Sequence, residues 1–150
     1  MPSLASEPPR FARDVTLDTV AVEAAQEEIA QFLERQGVGP AVSYRLRLII
    51  EELLANLIMH GRFDGEPQPA RIEVALTPGT LLLTIDDAAA PFDPRLAPEP
   101  AGPPTIEDDR IGGLGLSLVR KMAEIRAYHR LPQGWNRTEM ALSLVDAARI

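Results

Sequence analysis

The sequence predicts an α/β two-layer sandwich, with a mixed, mainly antiparallel sheet and helices on one face. Three observations carry this expectation. Strand-like runs come in pairs joined by short turns, PGT at 78–80 and LPQGW at 131–135. Two helical runs follow one another near the start, and a third lies between the strand pairs. Regular βαβ alternation, which a parallel doubly wound sheet requires, is absent.

Taken in order, FARDVTL (11–17) alternates as a strand. Asp18 is placed to cap a helix whose apolar positions Val22, Ala25, Ile29, Phe32 and Leu33 follow helical spacing. Gly37 and Gly39 end that helix, and Pro40 suits the first turn of the next, which runs through LRLIIEELLANLIMH and stops at Gly61. RIEVALT (71–77) turns Ile72, Val74 and Leu76 inward and pairs through PGT with LLLTIDD (81–87). Residues 88–110 carry Pro91, Pro94, Pro98, Pro100, Pro103 and Pro104 with little apolar periodicity, so a long, poorly packed loop is expected. GGLGLSLVRKMAEI then opens on glycines and becomes helical, with Leu116, Val119 and Ala123 on one face. AYHR (127–130) and TEMALSLV (138–145) supply a closing hairpin.

Composition narrows the function classes. With 150 residues the chain suits one domain, 11–146, after a frayed tail at 1–10. The balance of 15 basic and 22 acidic residues, net −7, argues against sequence-independent nucleic-acid binding. There is no cysteine, which excludes disulfide scaffolds and thiolate metal sites. No apolar run approaches the roughly 20 residues that span a bilayer, and the N-terminus lacks a signal-peptide pattern, so a cytoplasmic protein away from the membrane is expected.

Three stretches carry polar groups where packing alone does not ask for them. In LIIEELLANLIMHG (48–61), Glu52, Asn56 and His60 recur every four residues and drift by only about 40° per step, so they share a helix face. Glu51 is expected in solvent, and His60 suits a helix C-terminus. Asn56 is harder to place, because an amide on an apolar helix needs partners. Asn and Glu oxygens are also ligands that Mg²⁺ accepts alongside phosphate oxygens. In TIDDAAAPFDP (84–94), two acids end an apolar strand, where a carboxylate can accept from an exocyclic amine such as that of adenine; Asp93 before Pro94 is a turn former. In RIGGLGLSLV (110–119), Gly112, Gly113 and Gly115 precede an amphipathic helix, and bare amides at such a start favour phosphate. It is not a Walker loop, since no Gly-Lys-Ser/Thr follows.

In this order and spacing the stretches resemble the ATP-binding boxes of the GHKL (Bergerat-fold) superfamily. Within it, EELLANLIMHG, the hairpin, PFDP and GGLGLSLVRKMAE look most like the anti-sigma-factor serine kinases of bacterial partner-switching systems. The resemblance spans about residues 11–146. It implies ATP and Mg²⁺ as cofactors, with Asn56 holding the metal between the phosphates and Glu52 acting as general base. By it, Asp87 binds the adenine amine, Gly113 and Gly115 let a lid (88–111) close on the phosphates, and Arg110 contacts the γ-phosphate. It further implies a serine/threonine protein kinase that acts on a small anti-sigma antagonist and sequesters a sigma factor or other output protein. A homodimer is compatible with it.

Two departures stand out. The adenine box should read Asp-x-Gly, but Ala89 fills the glycine slot, and the register between Asp86 and Asp87 is open by one. Ile111 also separates Arg110 from the glycines. A nucleotide-gated binding module without phosphoryl transfer is therefore the rival reading, followed by a scaffold with a vestigial site.

Overall fold

The computed structural model describes residues 7–96 and 111–145, and for 111–115 the backbone alone. Its elements are β1 (Arg10–Val15), α1 (Thr19–Arg35), α2 (Pro40–His60), β2 (Ala70–Thr77), β3 (Thr80–Asp87), a 3-10 turn at Pro94–Leu96, α3 (Ile111–Met122), β4 (Glu124–Arg130) and β5 (Asn136–Ser143). The strands form one five-stranded sheet in the order β1-β2-β3-β5-β4. Every ladder is antiparallel, so the two-layer α/β architecture holds without the parallel pairing that a mixed sheet would include.

Register explains how the layers meet. Phe11, Val74, Leu83, Met140 and Ile125 are successive partners across the five strands and share one face. That row joins a core with Ala25, Ile29 and Leu33 of α1 and Leu46, Ile49, Ile50 and Leu54 of α2. Ile49, Ile50 and Leu54 are fully removed from water, each stabilising the fold by about 1.5–3 kcal/mol. Phe11 and Phe32 tilt against each other at 6.0 Å between ring centroids. The opposite face carries Arg71, Glu73, Thr84, Asp86, Arg137 and Glu139, a polar alternation proper to an antiparallel sheet with one uncovered side.

The local signals act as their chemistry dictates. Asp18 Oδ1 accepts from the Ala21 amide at 2.8 Å and caps α1. Pro40 begins α2, and Gly61 ends it while donating to the Leu57 carbonyl at 2.9 Å. A Cβ at Gly61 would overlap that carbonyl oxygen, so the chain can leave α2 along this path only with glycine. Gly79, at φ +76°, closes the β2–β3 hairpin. Gln26, buried in α1, donates to the Arg47 carbonyl at 2.9 Å and ties α1 to α2.

Some boundaries differ from expectation. β1 starts at Arg10, and the Pro9 carbonyl already accepts from Leu76, so the expected tail ends earlier than residue 10. The glycines 112, 113 and 115 lie within the first turns of α3 and do not precede it. At its other end α3 stops at Met122, and Glu124 and Ile125 pair with Ala141 and Met140; strand pairing overrides the helical spacing that continues through Ala123. A bulge between Ile125 and Ala127 interrupts that ladder. Residues 97–110, with Arg110 and most of the expected lid, lie outside the described residues.

Candidate functional site

Leu81, Leu83 and Ile85 of β3 point toward the helices, and by the two-residue period Asp87 follows them. On β5 the same face carries Leu142 and Met140, then Thr138 and Asn136. Ile85 is the register partner of Thr138, and Asp87 of Asn136. At this end of the sheet the inward rows therefore change from hydrocarbon to polar groups, while the helices still cover them. A cavity of about 560 Å³ results, within the roughly 300–1,000 Å³ of small-molecule sites. Leu53, Asn56 and His60 line it from α2, Asp87 and Ala89 from the end of β3, and Leu116 from α3. A second concavity, about 700 Å³ beside Pro8, Pro9 and Pro78, contains none of the motif residues.

Asp86 and Asp87 are separated by the sheet. Asp86 meets Arg137 with two bonds of 2.8 Å on the uncovered face. Asp87, buried, accepts on Oδ1 from Asn136 Nδ2 at 2.8 Å and from the Ala89 amide at 3.0 Å. Burial pushes its carboxyl above the usual aspartate range; the bonds from Asn136 and Ala89 pull it back, Asp86 raises it further and Arg130 lowers it. The ambiguity between the two acids is thus resolved by parity: Asp87 faces the cavity.

Asn56 lines the cavity half-buried, and its amide makes no hydrogen bond to any described residue. Its oxygen is therefore available to an incoming ligand. Among the described residues no group of three or more His, Cys, Asp or Glu could hold a metal. A hard cation beside Asn56 would thus lean on the ligand's own oxygens, which is the habit of Mg²⁺ with phosphates. The donor set fits such an ion.

Glu52 lies one turn before Asn56, half-buried, and is not part of the cavity lining. Burial raises its carboxyl above the usual glutamate range, and neighbouring Glu51 raises it further. Glu51 is exposed, as expected. His60 is the last residue of α2 and borders the cavity as well. Asp93 is a turn former: it accepts from the Arg95 amide at 2.9 Å and pairs with the Arg95 guanidinium, which holds its carboxyl low. Arg120 of α3 donates to the Pro94 carbonyl at 2.9 Å, joining that turn to the helix.

A family model described as the histidine kinase-like ATPase domain matches residues 15–142, which include every described lining residue of the cavity. The chain belongs to the histidine kinase-like ATPase domain family. Among curated proteins it resembles the serine/threonine-protein kinase BtrW of Bordetella bronchiseptica, 29% identical over 125 residues that cover 81% of this chain and 87% of that protein. Among solved structures it resembles a chain of the SiaB–SiaC complex from Pseudomonas aeruginosa, with TM-score 0.53 and 14% identity over 88% of each chain, a likeness of fold. The resemblance to GHKL anti-sigma kinases read from the three stretches is borne out by these matches.

Within the histidine kinase-like fold, the motif residues Asn56 and Asp87 meet at one cavity, while Gly113 and Gly115 contribute helical backbone at the start of α3. The sequence reading missed Asn136 and Thr138. Their signal was the alternation Thr138, Met140, Leu142; one further step back reaches Asn136, which a strand begun at 138 leaves out. No described helix is long and apolar enough to cross a membrane.

Proposed function

We propose that this cytoplasmic protein is an ATP-dependent serine/threonine protein kinase of the partner-switching type. It phosphorylates a serine on a small anti-sigma antagonist and, when free of that antagonist, sequesters a sigma factor or another output protein. One observation carries the reading: Asn56, Asp87 and the glycine-led helix α3 border the same cavity. The name of the Bordetella relative and the two-protein complex of the fold neighbour support it.

In this reading Asp87 accepts from the adenine amine, and the apolar lining of Leu53, Ile85 and Leu116 covers the base. Asn56 offers its carbonyl oxygen to Mg²⁺, which would offset phosphate charge during transfer. The raised Glu52 carboxylate takes the serine proton as Oγ attacks the γ-phosphorus and the bond to the bridging oxygen of ADP breaks. Since Glu52 lies a turn away from Asn56, the hydroxyl approaches from the N-terminal side of α2. Gly113 and Gly115 leave the α3 backbone open to phosphate, and Arg110 reaches the γ-phosphate.

The test is incubation with labelled Mg-ATP and candidate antagonist proteins, with Glu52→Gln as control. Label on the antagonist that disappears in the control is the expected result; ATP binding without transfer to any antagonist would contradict it. The rival, a nucleotide-gated binding module, is favoured by Glu52 lying outside the lining and by Ala89 in the glycine slot.

A further inference from the structure

We infer that the outward face of α2 is a docking seam for an amphipathic helix of the antagonist, and that Glu51 selects a helix carrying Lys or Arg at mid-seam. The inference rests on the kinase proposal and names where that partner sits. Leu46, Ile49, Ile50 and Leu54 take one side of α2 into the core. The far side of a surface helix is ordinarily polar. Here it carries Tyr44, Leu48, Glu51, Ala55 and Ile58, spaced by four, three, four and three residues. That is the 3.5-residue repeat of a coiled-coil seam, and it runs about 21 Å along the helix. No residue of this seam is buried: Tyr44 is 63% and Ile58 41% exposed, and Met59 beside them is 60% exposed.

Glu51 is the one charge in the seam, and its chemistry names the occupant. Among the described residues no Lys, Arg or His pairs with Glu51 or Glu52. Burial and Glu51 push the Glu52 carboxyl up, and no cation pulls it back. A second copy of α2 is a poor occupant. Glu51 lies at the middle of the seam, so parallel and two-fold antiparallel pairing both set Glu51 against Glu51, and like charges oppose such pairing. A different helix with Lys or Arg at that level satisfies Glu51, and one polar position in an apolar seam also fixes register. Register matters because Glu52, the next residue, falls around the helix between the seam and Asn56. A helix locked on Glu51 is held beside the carboxylate that serves as base in the kinase reading.

The experiment uses synthetic helical peptides that share one leucine seam and differ only in Lys, Gln or Glu at mid-seam. Their binding to the full chain is read by fluorescence anisotropy. Wild type should bind the Lys peptide about threefold tighter than the Gln peptide, the scale of one exposed ion pair, and the Glu peptide weakest. Glu51→Lys should invert that order. Ile58→Asp should weaken all the peptides about tenfold, the scale of one apolar contact, while ATP affinity stays within about twofold and shows the variant folded. Tyr44→Asp is the second variant and should do the same. Excess Lys peptide should also suppress label transfer from Mg-ATP to an antagonist. An unchanged order in Glu51→Lys, undiminished binding by Ile58→Asp and Tyr44→Asp, or undiminished transfer under competition would each overturn the inference. So would a wild-type dimer in sedimentation that Ile58→Asp dissolves, since a second copy would then fill the seam. Because binding is read apart from transfer, the seam can fail while antagonists still take label, and the kinase proposal can fail while the peptides still bind in this order.

Discussion

Asp86 and Asp87 are neighbours in the chain and lie on opposite faces of the sheet, Asp86 paired with Arg137 at 2.8 Å and Asp87 bonded to Asn136 at 2.8 Å. Only the second borders the cavity. The pair therefore supplies an internal control: Asp87→Asn should weaken ATP binding at least about tenfold by removing a charged acceptor, whereas Asp86→Asn should leave it within about twofold. Calorimetric titration of both variants reads the difference. Equal losses would show that the face of the sheet does not matter.

The same substitution has a pH signature. Asp87 holds its proton more tightly folded than unfolded, chiefly because burial disfavours the charge. Its ionisation therefore costs stability, a cost absent below the ordinary aspartate value of about 3.9 and complete above the raised folded value. Asp87→Asn removes the charge, so the unliganded variant should match or exceed wild type in urea midpoint at pH 7. The advantage should shrink as pH falls through that window. A variant less stable at pH 7 than at pH 4, relative to wild type, would reverse the sign.

Glu52 predicts a kinetic limb. Its carboxyl is raised by burial and then by Glu51, and it must be ionised to accept the serine proton. Phosphate transfer should therefore fall with acidification through a midpoint above the ordinary glutamate value of about 4.3. Glu51→Gln should move that midpoint down without touching the cavity. A pH–rate profile indifferent to Glu51→Gln would contradict the coupling.

Ala89 occupies the slot where glycine was expected, yet among the described residues no non-glycine has positive φ. Its backbone is unstrained, so Ala89→Gly has no strain to release. Its effect on binding comes from space: the Ala89 methyl is buried at the cavity wall. The variant should bind ATP more tightly, by a few-fold, while losing about 0.5–1 kcal/mol of stability to chain entropy. Weaker or unchanged ATP affinity would count against Ala89 being the glycine position.

Caps offer a test of the fold alone. Asp18→Ala removes the bond to the Ala21 amide and should cost about 1 kcal/mol in denaturant unfolding. An unchanged midpoint would mean that α1 does not depend on its cap.

Much of the architecture was readable because local chemistry and tertiary packing agree. Asp18, Pro40, Gly61 and Gly79 punctuate the chain where their side chains or backbone freedom require, and the alternation of β2 and β3 sets the inner face. Where the two disagree, the sequence misleads. Ala123 to Ile125 continue a helical spacing, but pairing with β5 claims Glu124 onward. Gly112, Gly113 and Gly115 are expected just before a helix, yet the helix begins at Ile111 and takes them into its first turns. Asp87 was identified one residue short of certainty, because parity at a strand end depends on a register that only the partner strand fixes. Asn136 was invisible for the same reason: its role comes from what Asp87, Tyr128 and Arg130 bring to it from other strands.

The central claim is that Asn56 and the cavity around it hold a metal-bound nucleotide. Calorimetry of ATP with Mg²⁺ and again with EDTA, for wild type and Asn56→Ala, tests it most directly. The account predicts wild-type binding that weakens at least about tenfold without Mg²⁺, and an Asn56→Ala variant that binds weakly under both conditions. Full-strength, Mg²⁺-dependent binding by Asn56→Ala would contradict it.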